Sequence, residues 1–428
     1  MEYTAPISRR ADQVFTPALH FYYPFSIVRG EGTYVITDDG KRLLDFSSGL
    51  AVLNIGHNHP QVVDAARRQM ERLIHTGGVY LNETTVTAAE MLLSIMPEGL
   101  ECLFFSNSGA EAVDGALKLA RFVTGRQGIV SCTGAFHGRT FGALSVTTSS
   151  AAYRARYHPL LPSIYQMPYP YCFRCPFRRT PVSCGQHCLS ELETIFRHRI
   201  PPEEIAAVLI EPILGEGGYS PAPVPFLKKL RSLCNRHGIL LIFDEVQSGM
   251  GRTGQWFSCE HAGVSPDIMT VAKGIASGFP LSAVVAGRNI MEQWPPGAHG
   301  TTFGGNHVSC AASIATIKVI REEGLLEKAR VQGQEVLERL RRLESTHRLV
   351  GQVRGYGFMI GVEFVTEEGE PNGDACQKVI NACLQKGLIL IGCGRERHVI
   401  RFIPPLTVSR EELESALEIL EEAIRGMS

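Results

Sequence analysis

The sequence predicts an α/β fold built on a buried, mainly parallel sheet. Three observations carry this expectation. First, three short apolar runs each stop abruptly at polar residues. Ala206-Ala207-Val208-Leu209-Ile210 ends at Glu211-Pro212, Gly238-Ile239-Leu240-Leu241-Ile242-Phe243 ends at Asp244-Glu245, and Ile268-Met269-Thr270-Val271-Ala272 ends at Lys273-Gly274. Runs of this length, bounded by Gly or Pro, read as strands covered on both faces. Second, ligands of open α/β sheets gather at the carboxyl ends of the strands. Glu211, Asp244 and Lys273 are therefore expected to converge on one pocket, although they lie far apart in the chain. Third, 428 residues exceed one simple core, so two or more lobes are expected.

A buried carboxylate and a buried lysine in one pocket point to a specific chemistry. A desolvated lysine loses basicity and condenses with an aldehyde. An aspartate can hold a pyridine nitrogen protonated, so that the ring accepts electrons. These are the two fixed points of a pyridoxal-phosphate site. A buried Asp–Lys ion pair that only orders the sheet is the competing reading of the same spacing, although such a pair is weak evidence for stability. The longer pattern is more specific. Phe243-Asp244-Glu245-Val246-Gln247-Ser248-Gly249-Met250-Gly251-Arg252-Thr253-Gly254, followed by Ala272-Lys273-Gly274, resembles the class III (ω-) aminotransferases of fold type I, above all the 4-aminobutyrate aminotransferases. The likeness runs from about Pro24 to the C-terminus. It implies a large, mainly parallel seven-stranded sheet domain plus a small α+β domain drawn from both termini. The expected boundaries are 1–60 for an N-terminal arm and part of the small domain, 61–310 for the large pyridoxal-phosphate domain, and 311–428 for the C-terminal small domain.

Composition excludes other classes. Charged residues make up 20% and the formal net charge is −1, which is no electrostatic footprint for nucleic acid. No apolar run reaches membrane-spanning length. Met1-Glu2-Tyr3-Thr4-Ala5-Pro6 lacks a basic-then-apolar signal pattern, so the expected location is the cytoplasm. The 12 cysteines are scattered, mostly inside apolar segments such as Glu101-Cys102-Leu103. In a cytosolic enzyme these are most often small buried hydrophobes.

Residues 1–23 read as an irregular arm. Tyr34–Thr37 and Arg42–Phe46 flank Asp38-Asp39-Gly40, a turn with alternating apolar neighbours, so a meander is expected. Gly56-His57-Asn58-His59 leads into a helix from Pro60 to about Leu73. The two histidines read as part of the loop before that helix, because no ligand pattern accompanies them. The resemblance implies that the segment around Leu50 lines a substrate pocket.

Leu103-Phe104-Phe105-Ser106-Asn107-Ser108-Gly109-Ala110-Glu111 is a strand, a small-residue turn and a helix start. Free N–H groups and the helix dipole favour an anion there, although an ordinary N-cap has the same look. The family has an equivalent turn, which implies that Ser108, Gly109 and Ala110 cradle the cofactor phosphate. Gly128–Ser131 reads as the next strand and leads to Gly134-Ala135-Phe136-His137-Gly138-Arg139-Thr140. The resemblance assigns Phe136 and His137 to the cofactor, with Phe136 stacked on the ring. Ordinary core packing is the other reading of Phe136. Arg139 offers a planar fork for a carboxylate. In the family the arginine of this motif grips the carboxylate remote from the amine; a plain surface arginine is the alternative.

Cys172 and Cys175, then Cys184 and Cys188 eight residues further on, form a candidate metal pattern. The gap is shorter than in common zinc modules, and many family members lack these cysteines. A cysteine-bearing packed loop without a metal is the expectation. Leu214-Gly215-Glu216-Gly217-Gly218-Tyr219 is not a dinucleotide fingerprint. The resemblance makes Glu216 a gate for Arg401 and leaves Glu211 near Gln247 and the cofactor. It also implies that Val246 covers the ring face opposite Phe136, that Gln247 bonds the ring hydroxyl, and that Thr302 reaches the phosphate of a neighbouring subunit. Helices are expected from about Val308 to Arg321 and Leu326 to Leu343, an antiparallel strand pair over Val353–Phe364, a strand from Val399, and a closing helix capped by Ser409.

The implied reaction is ping-pong transamination from an ω-amino acid to 2-oxoglutarate with pyridoxal 5'-phosphate. Lys273 and Asp244 are the catalytic pair, and Leu50, Arg139, Glu216 and Arg401 meet the substrate. The implied assembly is a homodimer, or a tetramer of two such dimers. A racemase or epimerase of the same fold, or an acetylornithine- or ornithine-type aminotransferase, fits the same motifs.

Overall fold

The computed structural model describes residues 7–180 and 182–427. The N-terminal meander forms as β1 (Ile27–Glu31), β2 (Tyr34–Thr37) and β3 (Arg42–Asp45). Gly40 takes φ 82° in the turn between β2 and β3, a conformation that glycine adopts without steric cost. Then come β4 (Cys102–Ser106), β5 (Gly128–Thr133), β6 (Ile164–Pro168) and β7 (Ile205–Ile210). A small hairpin, β8 (Ile213–Leu214) and β9 (Ser220–Pro221), precedes β10 (Leu240–Asp244), β11 (Ile268–Val271) and β12 (Ser282–Ala286).

Seven of these strands make the large sheet, in the order β4-β12-β11-β10-β7-β5-β6. β12 runs antiparallel to both its neighbours, and every other pair is parallel. The apolar runs explain this. All residues of β7, β11 and β12 are buried, as are the last four of β10. Alternation then sorts the side chains between two layers. Leu209, Ile242, Ile268 and Val284 meet Ala112, Val113, Ala116 and Ala120 of the Gly109–Thr124 helix. The small residues on that helix let it approach the sheet closely. Val208, Leu241, Phe243, Met269 and Val285 face the larger core on the other side.

The C-terminal part holds β13 (Val350–Tyr356), β14 (Met359–Phe364), β15 (Leu388–Ile389), β16 (Ile391–Cys393) and β17 (Val399–Phe402). β13, β14, β17 and β16 form an antiparallel sheet. β15 instead pairs with β3, so a late strand completes the N-terminal meander. The closing helix, Arg410–Arg425, starts at Ser409, whose hydroxyl accepts from Glu412 N–H while the Glu412 carboxylate accepts from Ser409 N–H.

The arm departs from expectation. Ile7–Val14 is helical, whereas an irregular stretch is expected; the first six residues of the arm lie outside the described residues. Arg9, Arg10, Ala11 and Gln13 favour helix by intrinsic propensity. Ile7, Ala11 and Val14 fall on one face at helical spacing, but none of the helix's residues is buried. Among the described residues, no helix is long and apolar enough to cross a membrane.

Candidate active site

The carboxyl ends of β4, β5, β7, β10 and β11 open into a cavity of about 430 Å³. Its lining includes Ser108, Gly109, Ala110, Phe136, His137, Arg139, Glu211, Glu216, Asp244, Val246, Gln247 and Lys273. Twelve residues singled out in the sequence therefore share one wall system. Leu50, Thr302 and Arg401 are not part of it. Leu50 sits at φ 66° and is 43% exposed, while Val52 lines the cavity two residues on. Thr302 is exposed in the single chain. Arg401 lies one shell behind, paired with Glu216.

Asp244 ends β10 and is buried. Its Oδ2 lies 2.7 Å from His137 Nδ1, and its Oδ1 accepts from Val246 N–H at 3.0 Å and the Thr270 hydroxyl at 3.2 Å. Burial works against a charge on His137, but the hydrogen bond and the negative charge of Asp244 outweigh it and raise the imidazole above its ordinary range. The His137 Nε2 atom is buried without a hydrogen-bond partner. Asp244 is thus fixed in place.

Lys273 follows β11 in a left-handed turn, φ 48°. That conformation is strained for a residue with a side chain and aims the amine back into the cavity. Gly274 allows the turn to form, since a Cβ there would lie 2.4 Å from Asn54 Nδ2. Burial, and then the positive charge of Arg401, lower the Lys273 amine from 10.5 to about 8. Glu211 is buried just after β7, and burial raises its carboxyl to about 7. Its two oxygens accept from Phe136 N–H at 3.0 Å and Gly215 N–H at 2.9 Å, tying two cavity loops together.

The Gly109–Thr124 helix starts at the cavity with Ser108 as its N-cap, whose hydroxyl accepts from Glu111 N–H. The other first-turn N–H groups point out of the helix end toward the cavity, where a phosphate is favoured. Gly109 makes room: a Cβ there would sit 2.9 Å from Val246 Cγ1. An anion cradle, a neutral-leaning lysine and a fixed carboxylate at the same cavity fit a pyridoxal phosphate by the chemistry of the donor set.

Arg401 is 2% exposed and its Nη2 donates to Glu216 Oε2 and, at 3.2 Å, to Gly392 O. Burial lowers the basicity of its guanidinium, and the Glu216 carboxylate more than restores it, leaving it raised. Arg139 stacks 3.6 Å over the Tyr153 ring and has no carboxylate partner among the described residues. Tyr219 donates its hydroxyl to Gln247 Oε1 at 2.7 Å, an orienting contact that the sequence did not reveal. Val52, Asn107 and Phe279-Pro280-Leu281 also line the cavity unannounced; only their closeness to Leu50, Ser108 and Lys273 in the chain hinted at them.

Outside this cavity, His57 Nε2 lies 2.8 Å from Asp45 and His59 Nε2 3.4 Å from Glu323. Cys172, Cys175 and Cys184 are half-buried, Cys188 is buried, and all four are unbridged. Among the described residues, no three His, Cys, Asp or Glu side chains are grouped to hold a metal ion.

A family model described as aminotransferase class-III matches residues 17–424. A probable 4-aminobutyrate aminotransferase of Bacillus subtilis (strain 168) is 36% identical over 427 residues, covering 99% of this chain and 98% of its own. A leucine/methionine racemase of Thermococcus litoralis is 38% identical over 422 residues, covering 98% of this chain and 95% of its own. The crystal structure of an amine transaminase from an uncultivated Pseudomonas species, solved with PLP bound, superposes with a TM-score of 0.91 at 30% identity, over 97% of this chain and 99% of that one.

Proposed function

The chain belongs to the class-III aminotransferase family, and on that premise we propose that it moves the amino group of an ω-amino acid of the 4-aminobutyrate kind to 2-oxoglutarate in two alternating half-reactions. Pyridoxal 5'-phosphate is its cofactor and supplies an aldehyde and an electron-accepting ring. The first-turn N–H groups of Gly109 and Ala110, with the Ser108 hydroxyl, hold the phosphate. Asp244, held by His137, would face the ring nitrogen and hold its proton. Phe136 and Val246 cover the ring and exclude water. Gln247, oriented by Tyr219, addresses the ring hydroxyl. Lys273 Nζ would hold the cofactor through its aldehyde, and once free it would move the proton between the substrate carbon and the neighbouring position. Its lowered basicity favours the neutral form that this task needs.

One observation carries the substrate assignment: the Glu216–Arg401 ion pair at the cavity wall. An ω-amino acid has one carboxylate, remote from its amine, and Arg139 takes it. Arg401 then has no substrate partner, and a buried unpaired arginine costs on the order of 3–5 kcal/mol. Glu216 removes that cost. 2-Oxoglutarate carries a second carboxylate beside the reacting carbon, and Arg401 takes it when Glu216 swings aside. A donor screen with 2-oxoglutarate tests the assignment. 4-Aminobutyrate or 5-aminovalerate is expected to be consumed only when the keto acid is present.

The second reading is racemisation, favoured by the likeness to the Thermococcus litoralis racemase. Interconversion of amino-acid enantiomers without any keto acid establishes it and removes the transaminase reading. We further propose a homodimer. Val79, Tyr80 and Leu81 are 74%, 71% and 97% exposed, and Phe303, next to Thr302, is 60% exposed. A second copy covers this apolar surface and receives Thr302 at its phosphate.

A further inference from the structure

Glu216 sits in the five residues, 215–219, that join β8 to β9. Three of those residues are glycines, and the loop's internal bonds run from Gly218 N–H and Tyr219 N–H to Gly215 O at 3.1 and 3.2 Å. It is also held from outside. Glu216 O accepts from Gly394 N–H at 2.9 Å, and Gly218 O accepts from Arg354 Nη2. Arg354 is buried, and its Nη1 donates to Glu363 Oε2 at 2.6 Å. Glu363 has no exposed surface and also takes the Tyr171 hydroxyl and Arg174 Nε. The Tyr171 hydroxyl in turn receives Arg354 Nη2, and the Arg354 guanidinium lies 4.7 Å over the Tyr171 ring. Burial alone would push the Glu363 carboxyl up, but the donors and cations around it outweigh burial and hold it at about 2. Gly218 fits only because it lacks a side chain. Its φ is +134°, and a Cβ would sit 3.3 Å from Tyr171 Oη and 3.4 Å from Arg354 Nη2.

Tyr171 and Arg174 belong to the cysteine-bearing segment that carries Cys172 and Cys175, with no part in the chemistry above. We propose that Tyr171, Glu363 and Arg354 form a clamp that positions the Glu216 loop against Arg401, so that this segment sets how the enzyme divides its binding between ω-amino acids and dicarboxylic keto acids. The proposal rests on the gate assigned to Glu216. These three are positioning residues: they reach the substrate only through the loop. A loosened loop spends less time with Glu216 on Arg401. The competent fraction for an ω-amino acid falls, and the apparent affinity falls with it. The dicarboxylic half-reaction, in which Glu216 swings away, loses less.

Single-turnover measurement of both half-reactions on the holoenzyme tests this, with 4-aminobutyrate for one and glutamate for the other. The variants are Tyr171→Phe, Arg354→Lys and Glu216→Ala. Loss of the hydroxyl that bonds both Glu363 and Arg354 predicts that Tyr171→Phe lowers the ω-amino half-reaction about five-fold more than the glutamate half-reaction. Arg354→Lys, which cannot span Gly218 and Glu363 together, shifts the ratio the same way and further. In a Glu216→Ala background, Tyr171→Phe adds no further change in the ratio, because the group it positions is gone. Equal losses in both halves, or no loss, in Tyr171→Phe alongside a selective loss in Glu216→Ala overturn the clamp and leave the gate standing. Absence of a selective loss in Glu216→Ala overturns the gate itself, and the clamp with it. If Arg354→Lys does not fold, Tyr171→Phe alone decides.

Discussion

At Lys273 the fold lowers the basicity of an amine, and that leaves a mark on stability. In the cofactor-free protein the amine falls from 10.5 to about 8 in the folded state. At full burial such a shift corresponds to roughly 3 kcal/mol, and solvent entering the cavity mouth discounts it to about 1–2 kcal/mol. The sign follows from proton counts. Between about pH 8 and 10.5 the unfolded chain binds more protons at this group, so stability rises with pH across that window. Below 8 both states are protonated and the full cost stands. Cofactor-free Lys273→Met is therefore expected to exceed the wild type in urea stability at pH 7, with the gap closing as pH rises through the window. A pH-independent gap speaks against a basicity lowered by burial. The lysine and Asp244 were legible because each ends an apolar strand. The contacts that orient them were not: Tyr219 to Gln247 and His137 to Asp244 join separate loops, and such pairs leave no periodic trace in a sequence.

At the scale of elements, the start of the Gly109–Thr124 helix is a tight fit at the cavity. A methyl at Gly109 would press on Val246 Cγ1 at 2.9 Å, and one of the two must move. Overpacking of this kind costs about 1–3 kcal/mol, so Gly109→Ala is expected to weaken cofactor retention roughly ten-fold with the far-ultraviolet spectrum unchanged. Equilibrium dialysis of the cofactor measures it, and wild-type retention contradicts the tight fit. The cysteine-bearing segment makes the opposite prediction at its thiols. Its docking runs through Tyr171 and Arg174, not through sulfur. Cys172→Ser with Cys175→Ser is expected to keep turnover within about two-fold, at some loss of thermal stability. Stoichiometric bound metal together with lost turnover in the variant contradicts this. β7, β10 and β11 were readable as continuous apolar runs. β12, Ser282–Ala286, is a further short apolar run, between Pro280 and Gly287, but it ends at no titratable residue and went unread. The Ile7–Val14 helix is short, and its stripe of Ile7, Ala11 and Val14 spans only two turns.

For the whole molecule, the seven-stranded sheet opens into the cavity, and the pairing of β15 with β3 joins the C-terminal part to the N-terminal meander. The single chain leaves Leu81 97% exposed, which is the motive for a second copy. Leu81→Glu is expected to shift the protein toward monomer in sedimentation and to lower activity in parallel, because Thr302 then loses its phosphate. A wild type that sediments as a fully active monomer rules the dimer out. In the proposed reaction the molecule has to accept two substrates that differ by a carboxylate, and the Glu216–Arg401 pair together with Arg139 is the proposed means. Single-turnover rates for each half-reaction in three variants read this out. Glu216→Ala is expected to weaken the ω-amino half-reaction more than the glutamate half-reaction, Arg401→Ala to do the reverse, and Arg139→Ala to impair both. Equal losses in both halves for Glu216→Ala would contradict the gate and leave Glu216 as an ion-pair partner that only holds Arg401 in place.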